Sequence, residues 1–158
     1  MKQFTLTSND LKPQMEKKHV FHDFGAGGEN ISPALSWSNA PEGTKSFLIT
    51  CHDPDAPTPS GWWHWCICNI SSELNELKAG VNSDSNLGTQ ALNDYGTVGY
   101  GGACPPPGDP YHAYHFTIYA LDTEKIEVEN VGMPAMVIFL ANAHILAKAT
   151  ITSYYRRD

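Results

Sequence analysis

Thirteen glycines and eleven prolines interrupt this 158-residue chain, and charged residues make up only 17% of it. Both residues weaken helix and strand interiors, so a chain punctuated this often has many loops and few helices. Its length suits one domain spanning residues 1–158, large enough to bury about two thirds of its unfolded surface. An apolar share of 41% fits a globular fold.

Charge excludes some partners. The formal net charge is -7 and the ten lysines and arginines are scattered. Nucleic-acid binding needs a basic patch to neutralise phosphates, and none is visible, so no nucleic-acid partner is expected. No basic amphipathic stretch marks a membrane-surface helix. No apolar run nears the ~20 residues that span a bilayer, so no membrane insertion is expected. Met1 to Leu11 is polar and lacks a signal-peptide core, which points to a cytoplasmic protein. The four cysteines (Cys51, Cys66, Cys68 and Cys104) fit that compartment. Cys66 and Cys68 lie in an apolar strand-like run, where a small buried thiol is the ordinary role. Their spacings match no zinc ribbon or redox motif, so neither a metal nor another cofactor is expected.

Three segments read as strands. Ser46 to Cys51 is apolar, β-branched and bounded by turn residues. In Trp63 to Ile70, alternation places Trp65, Ile67 and Asn69 on one face and Cys66, Cys68 and Ile70 on the other. In Tyr114 to Leu121 it sets Tyr114, Phe116, Ile118 and Ala120 opposite His115, Thr117, Tyr119 and Leu121. Weaker strand signals lie at 3–8, 20–21 and 150–155. A helix is expected from Pro134, a first-turn proline, through Lys148. Met136, Phe139, Leu140, Ala143 and Leu146 keep helical spacing, so this helix should pack deeply. A short helix is expected near Leu87–Leu92. Strands dominate and the helix comes late, which points to an all-β or α+β sandwich.

Two loop segments concentrate the chemistry. Asp53-Pro54-Asp55-Ala56-Pro57 is stiffened by its prolines, because the residue before each is kept out of the helical region. Asp53, at a strand end, leans towards a functional role, and Asp55 towards capping the turn. The cluster Gly61-Trp62-Trp63-His64-Trp65 holds more aromatic area than one strand face can hide. It is either a core cluster with an incidental histidine or a pocket wall of aromatic faces plus one imidazole. The second would suit a cationic head group through cation–π attraction. From Gly99 to Gly108, glycines permit close backbone approach and Pro105-Pro106-Pro107 is stiff. That stretch is either a plain surface loop or a nest of N–H groups for an anion. His112 and Tyr114 follow on one face of a strand. Cys104 and His112 could in principle form a nucleophilic pair.

Taken together, several runs resemble the phosphatidylethanolamine-binding protein family, in its prokaryotic Raf kinase inhibitor-like branch. They are Asn30-Ile31-Ser32-Pro33 with Leu35 and Trp37, Pro41 to Ser46, Asp53 to Pro57, His64-Trp65, Asn93-Asp94-Tyr95-Gly96, Gly99 to Gly102, Cys104 to Gly108 and Tyr119-Ala120-Leu121-Asp122. The resemblance implies a mainly β fold: a sandwich of two antiparallel sheets with a few peripheral helices, one near the C-terminus. It also implies an anion pocket at one end of the sandwich for phosphate or phospholipid head groups. By position, Asp53, His64, His112 and Tyr114 match the pocket residues. Gly102, Ala103, Cys104 and Pro105 match its wall, and Asp55 a more structural aspartate; Trp62 and Trp63, from the aromatic cluster itself, are possible supporting residues. Two positions depart from the family pattern: Ala103 replaces a proline of the Gly-Gly-Pro-Cys-Pro-Pro run, and Ala113 replaces the arginine of His-Arg-Tyr. Ala113 points away from its neighbours, so its loss should be a structural salt bridge.

The leading expectation is a regulatory module that binds a small phosphate or phosphoethanolamine-like ligand and is not an enzyme. An alternative is a protein-interaction module that inhibits a kinase or serine protease, with the Trp62/Trp63 patch as interface. A phosphohydrolase using Asp53, His64 and His112 is the third. A homodimer follows from base rates alone.

Overall fold

The computed structural model describes residues 2–128 and 132–158. Among these residues eight strands run in chain order: β1 (Thr5–Thr7), β2 (Leu35–Ser38), β3 (Ser46–Asp53), β4 (Trp62–Ser71), β5 (Glu76–Leu77), β6 (Thr89–Gln90), β7 (His112–Leu121) and β8 (Ile145–Tyr155). One α-helix, α1 (Pro134–Ala141), precedes a 3-10 turn over Asn142–His144, and a second 3-10 turn covers Lys17–His19. The strands form a three-stranded sheet ordered β1-β2-β5 and a five-stranded sheet ordered β6-β4-β3-β7-β8. Every strand pairing in both is antiparallel. The expected two-sheet, mainly β architecture is therefore the observed one.

Alternation explains the core. On β7, His112, Tyr114, Phe116, Ile118 and Ala120 are buried on one face. Phe116 and Ile118 meet Phe47, Ile49, Trp65 and Ile67 from β3 and β4, with Leu35 and Trp37 contributed by the smaller sheet. A second apolar cluster lies on the other face of the large sheet. There Leu48, Cys66, Cys68 and Leu121 meet Val137 and Ala141 of α1.

Strict alternation fails on β4, at two bulges. Phe47 pairs with Ile70 and Ile49 with Ile67, so two steps on β3 span three on β4. Asn69 absorbs the extra residue in a left-handed conformation, φ 59°. Its side chain accepts from the Ile126 N–H at 2.7 Å and donates to Thr89 Oγ1 at 3.0 Å. The expected faces are corrected accordingly: Ile70 joins Trp65 and Ile67 in the main core, opposite Cys66 and Cys68. The second bulge has His52 facing Trp63 and Cys51 facing Trp65, leaving His64 unpaired. A bulge of this kind re-aims side chains, and this one turns His64 and Trp62 towards the end of the sandwich.

The C-terminal helix is shorter than expected. It ends at Ala141, and residues 145–148 belong to β8, where Ile145 faces Leu121 and Lys148 faces Tyr119. Pairing along the whole of β7 outweighs the helix propensity of Leu146, Ala147 and Lys148. Nor does the helix pack deeply. Pro134, Val137 and Ala141 are buried, whereas Met136, Phe139 and Leu140 are exposed, Phe139 by 74%. Near 87–92, where a helix was expected, the chain instead forms β6, whose Gln90 accepts from Trp65 Nε1 at 2.8 Å. The weak signal at 20–21 proves to be a single bridge between Val20 and Ala103. Among the described residues, no helix is long and apolar enough to cross a membrane.

Candidate functional site

The two chemistry-bearing segments, distant in sequence, meet at one end of the large sheet. β3 and β7 are neighbours in register, His52 facing His115, so Asp53 at the end of β3 reaches His112 at the start of β7. Beside them opens a cavity of about 390 Å³. Asp53, Trp62, His64, His112 and Tyr114 line it from the strands. Phe24, Tyr95, the 56–58 turn and Cys104 to Pro106 line it from loops.

Asp53 and His112 are both almost fully buried. Asp53 Oδ2 accepts from His112 Nδ1 at 2.7 Å, and Oδ1 accepts from the Asp55 N–H at 2.7 Å. On its other side, His112 Nε2 lies 2.9 Å from Asp109 Oδ2. Burial pulls the His112 pKa down, but the hydrogen bonds to Asp53 and Asp109 outweigh it, and the net shift is upward from 6.5. An imidazole with a carboxylate on each nitrogen is held as the cation.

His64 is in the opposite condition. Its Nδ1 donates to the Gly101 carbonyl at 2.7 Å, since a carbonyl can only accept. Burial pushes its pKa down to about 4, against smaller opposing effects from the Gly101 hydrogen bond and Asp53. His64 is thus neutral near pH 7, and its Nε2 is a lone-pair acceptor.

Among the described residues, two buried polar atoms of the wall have no protein partner: Trp62 Nε1, a donor, and the Tyr114 hydroxyl. Burial, with a smaller push from Asp53, drives the Tyr114 pKa up, so the phenol keeps its proton. Buried polar atoms in folded proteins are nearly always satisfied, so such a pair facing a cavity marks a place for a ligand or water.

Other expected site residues lie elsewhere. Trp63 does not line the cavity; its ring packs on His52, centroids 4.2 Å apart, on the outer face of the sheet. Its N–H donates to Asp94 Oδ2 at 2.7 Å. Asp55 is exposed and clips the turn to β7, accepting from the Ala113 N–H at 2.8 Å. Gly102 and Ala103 stand behind the wall. The Gly102 N–H donates to Asn30 Oδ1 at 2.7 Å, and the Ala103 carbonyl accepts from the Phe21 N–H at 2.9 Å. A Cβ on Gly102 would lie 2.3 Å from the His19 carbonyl oxygen, so only glycine allows this approach.

Cys104 and Pro105 do face the cavity. No Cys104–His112 nucleophilic pair forms, because both His112 nitrogens are engaged by carboxylates. The Cys104 thiol instead lies 3.8 Å from Arg157 Nη2, and burial raises its pKa despite that cation. Among the described residues, no group of three His, Cys, Asp or Glu side chains is arranged to hold a metal ion.

Sequence reasoning passed over Asp109, Tyr95, Phe24 and Arg157 as site residues. Tyr95 stacks on Phe21 at 3.9 Å, meets Trp62 edge-on at 5.2 Å and donates its hydroxyl to the Gly102 carbonyl at 2.8 Å. Arg157 Nε donates to the Pro105 carbonyl at 2.7 Å, clamping the proline loop to the C-terminal segment. Tyr95 had a signal in the Asn93-Asp94-Tyr95-Gly96 run; Arg157 had none.

Comparison with known proteins agrees with this fold. The phosphatidylethanolamine-binding protein family model matches residues 8–156. The chain is 48% identical to YbcL and 46% identical to YbhB, both of Escherichia coli K12. Those alignments cover 96% and 95% of this chain and 87% and 98% of the relatives. The crystal structure of E. coli YbcL, described as a member of the mammalian PEBP family, superposes with a TM-score of 0.93 at 45% identity, covering 98% of this chain and 99% of that one. CT736 of Chlamydia trachomatis, described as a homolog of the same family, superposes at 0.84 with 31% identity, each chain 98% covered. With the family model matched almost end to end and near-half identity to two E. coli relatives, the chain belongs to the phosphatidylethanolamine-binding protein family.

Proposed function

We propose that the cavity binds a small phosphate-bearing or zwitterionic ligand, such as a phosphate monoester or a phosphoethanolamine head group, and that its occupancy is regulatory. The observation that carries this is the pair of unpartnered buried polar atoms, Trp62 Nε1 and the Tyr114 hydroxyl, on the wall of a 390 Å³ cavity. Both can donate to phosphate oxygens. The neutral His64 accepts, so a protonated phosphate or an ammonium group supplies the matching donor. The faces of Trp62 and Tyr95 suit an ammonium through cation–π attraction. A hydrolase would need a nucleophile beside a free base. Here His112 is occupied on both nitrogens and the Cys104 thiol is held protonated, which favours binding over catalysis.

Calorimetry with phosphoethanolamine tests this. Two groups carry the expected pH dependence, His112 and the phosphate itself, whose second proton leaves at about pH 6, whereas His64 stays neutral down to about pH 4. Affinity should hold at pH 6 and weaken above the raised His112 value, so that pH 8.5 gives clearly weaker binding. Equal affinity at both, or none at pH 6, would count against it.

A protein-interaction role, such as inhibition of a kinase or protease, is the second candidate. It is favoured by the exposed apolar side chains of Met136, Phe139 and Leu140 on α1 rather than by the Trp62/Trp63 patch, whose rings pack against Tyr95 and His52. A pull-down should lose a partner on Phe139→Ser and keep it on Trp63→Ala. The reverse pattern would return the interface to the tryptophans.

A further inference from the structure

Asp94 lines the cavity, and a bound phosphate gives it nothing to do. Its N–H donates to the Trp63 carbonyl at 2.9 Å, and its Oδ2 accepts from the Trp63 N–H at 2.7 Å. These two bonds clip Asp94 to β4 beside Trp62 and His64, the two neighbours of Trp63 whose side chains face the cavity. Asp94 is half-buried. Among the described residues its Oδ1 has no hydrogen bond and its carboxylate no ion pair.

The charge of the lining favours a cation. Asp53 and Asp94 are its carboxylates and the His112 imidazolium its one cation, so the lining is net negative. That imidazolium is already bonded on both nitrogens, to Asp53 and Asp109. Arg157, at the rim, is turned to the carbonyls of Pro105 and Phe24. A carboxylate partly withdrawn from water without a counter-ion attracts a positive group. The rings beside Asp94 suit one too. Trp62 meets Tyr95 edge-on with centroids 5.2 Å apart, and His64 meets Tyr95 at 5.8 Å. His64 stands between two tyrosines, because Tyr114 lies on it at 5.2 Å. The Tyr114 ring is buried, and its hydroxyl has no partner among the described residues. The cavity thus has an end with a carboxylate and aromatic faces and an end with a free hydroxyl.

We propose that Asp94, with Trp62, Tyr95 and His64, forms a second subsite of this cavity that binds a primary ammonium ion, and that Asp94 selects amine-bearing ligands over plain phosphate esters. This rests on the head-group reading above for the neighbouring phosphate, but not for the cation itself. The ammonium donates to Asp94 Oδ1 and to the lone pair of His64 Nε2, and lies against the faces of Trp62 and Tyr95. The Tyr114 hydroxyl stays available to a phosphate oxygen. A quaternary ammonium has no N–H, so it loses both hydrogen bonds and keeps only the attraction of charge and rings.

Isothermal titration at pH 6 with phosphoethanolamine and with ethyl phosphate, on the wild type and on Asp94→Asn, tests the proposal. Asparagine keeps an oxygen for the Trp63 N–H and removes the charge. The preference for phosphoethanolamine should be about tenfold greater in the wild type than in Asp94→Asn, a comparison in which other differences between the ligands cancel. Ethyl phosphate should bind Asp94→Asn at least as tightly as the wild type, because a repelling carboxylate is gone. Equal losses for both esters, or no change for either, would overturn the subsite and leave the pocket reading standing. Ethylammonium, which carries no phosphate, provides a second arm, followed through the Trp62 indole N–H resonance. It should bind the wild type saturably, and tetramethylammonium and the Asp94→Asn variant should each weaken that binding by about tenfold. Ethylammonium binding where neither ester binds would keep the subsite and sink the head-group reading. Absence of binding by all three ligands would overturn both.

Discussion

His64 and His112 show how far environment can separate one residue type. Both are buried, yet His64 has only a carbonyl to donate to and is held neutral, while His112 sits between two carboxylates and is held charged. Their effects on stability run in opposite directions. Unfolded, His64 takes a proton below its ordinary 6.5; folded, it does so only below about 4. Between those values the unfolded chain binds more protons, so stability falls as pH falls, by an amount approaching about 3 kcal/mol. His112 has a raised folded pKa, so its contribution is fully present below 6.5 and is lost as pH rises through the folded value. Urea unfolding at pH 7 and pH 4.5 should show a wild-type loss exceeding that of His64→Gln by about 2–3 kcal/mol. Equal losses would mean that His64 is not held neutral. Asp53, His64, His112 and Tyr114 were legible as candidates from residue type and family pattern. Their protonation was not, because it depends on partners such as Gly101 and Asp109 that only folding supplies.

Among the elements, β7 and α1 mark the two extremes of legibility. β7 carries an unbroken alternation, and its inward face is the one the pattern assigns. For α1, every residue from Pro134 to Ala141 is apolar, so the sequence says helix but cannot say which side is covered. The structure covers Val137 and leaves Phe139 bare. Val137→Ala should therefore cost about 2 kcal/mol, and Phe139→Ala no more than about 0.5 kcal/mol. Thermal melts of the two variants check this, and a larger loss for Phe139→Ala would show that this helix face is covered in solution. β4 lies between these cases. Its length and apolar character were readable, but its two bulges were not, because a bulge is set by the partner strand. Asn69 alone hints at one, as asparagine tolerates the left-handed region.

Across the whole molecule, the C-terminus helps to build the cavity. Arg157 donates to the carbonyls of Pro105 and Phe24, at 2.7 and 3.2 Å, joining three distant segments at the cavity rim. Arg157→Ala should cost about 1–2 kcal/mol and release the 104–109 loop. Hydrogen exchange should then quicken at Gly108, whose N–H reaches the Arg157 carbonyl, and stay unchanged in β3. Unchanged exchange at Gly108 would show that the loop holds itself.

Local chemistry along the chain was enough to specify strands and turns, and the family pattern added the two-sheet fold and the candidate polar side chains of the site. Period-two patterning and proline stiffness act over a few residues and can be read without knowing the partner. Long-range pairing alone decided the early end of α1, the bulge that turns His64 inward, the Arg157 clamp and the carboxylate on each side of His112. Each of these depends on groups far apart in the chain, whose energies exist only once the sheets have closed.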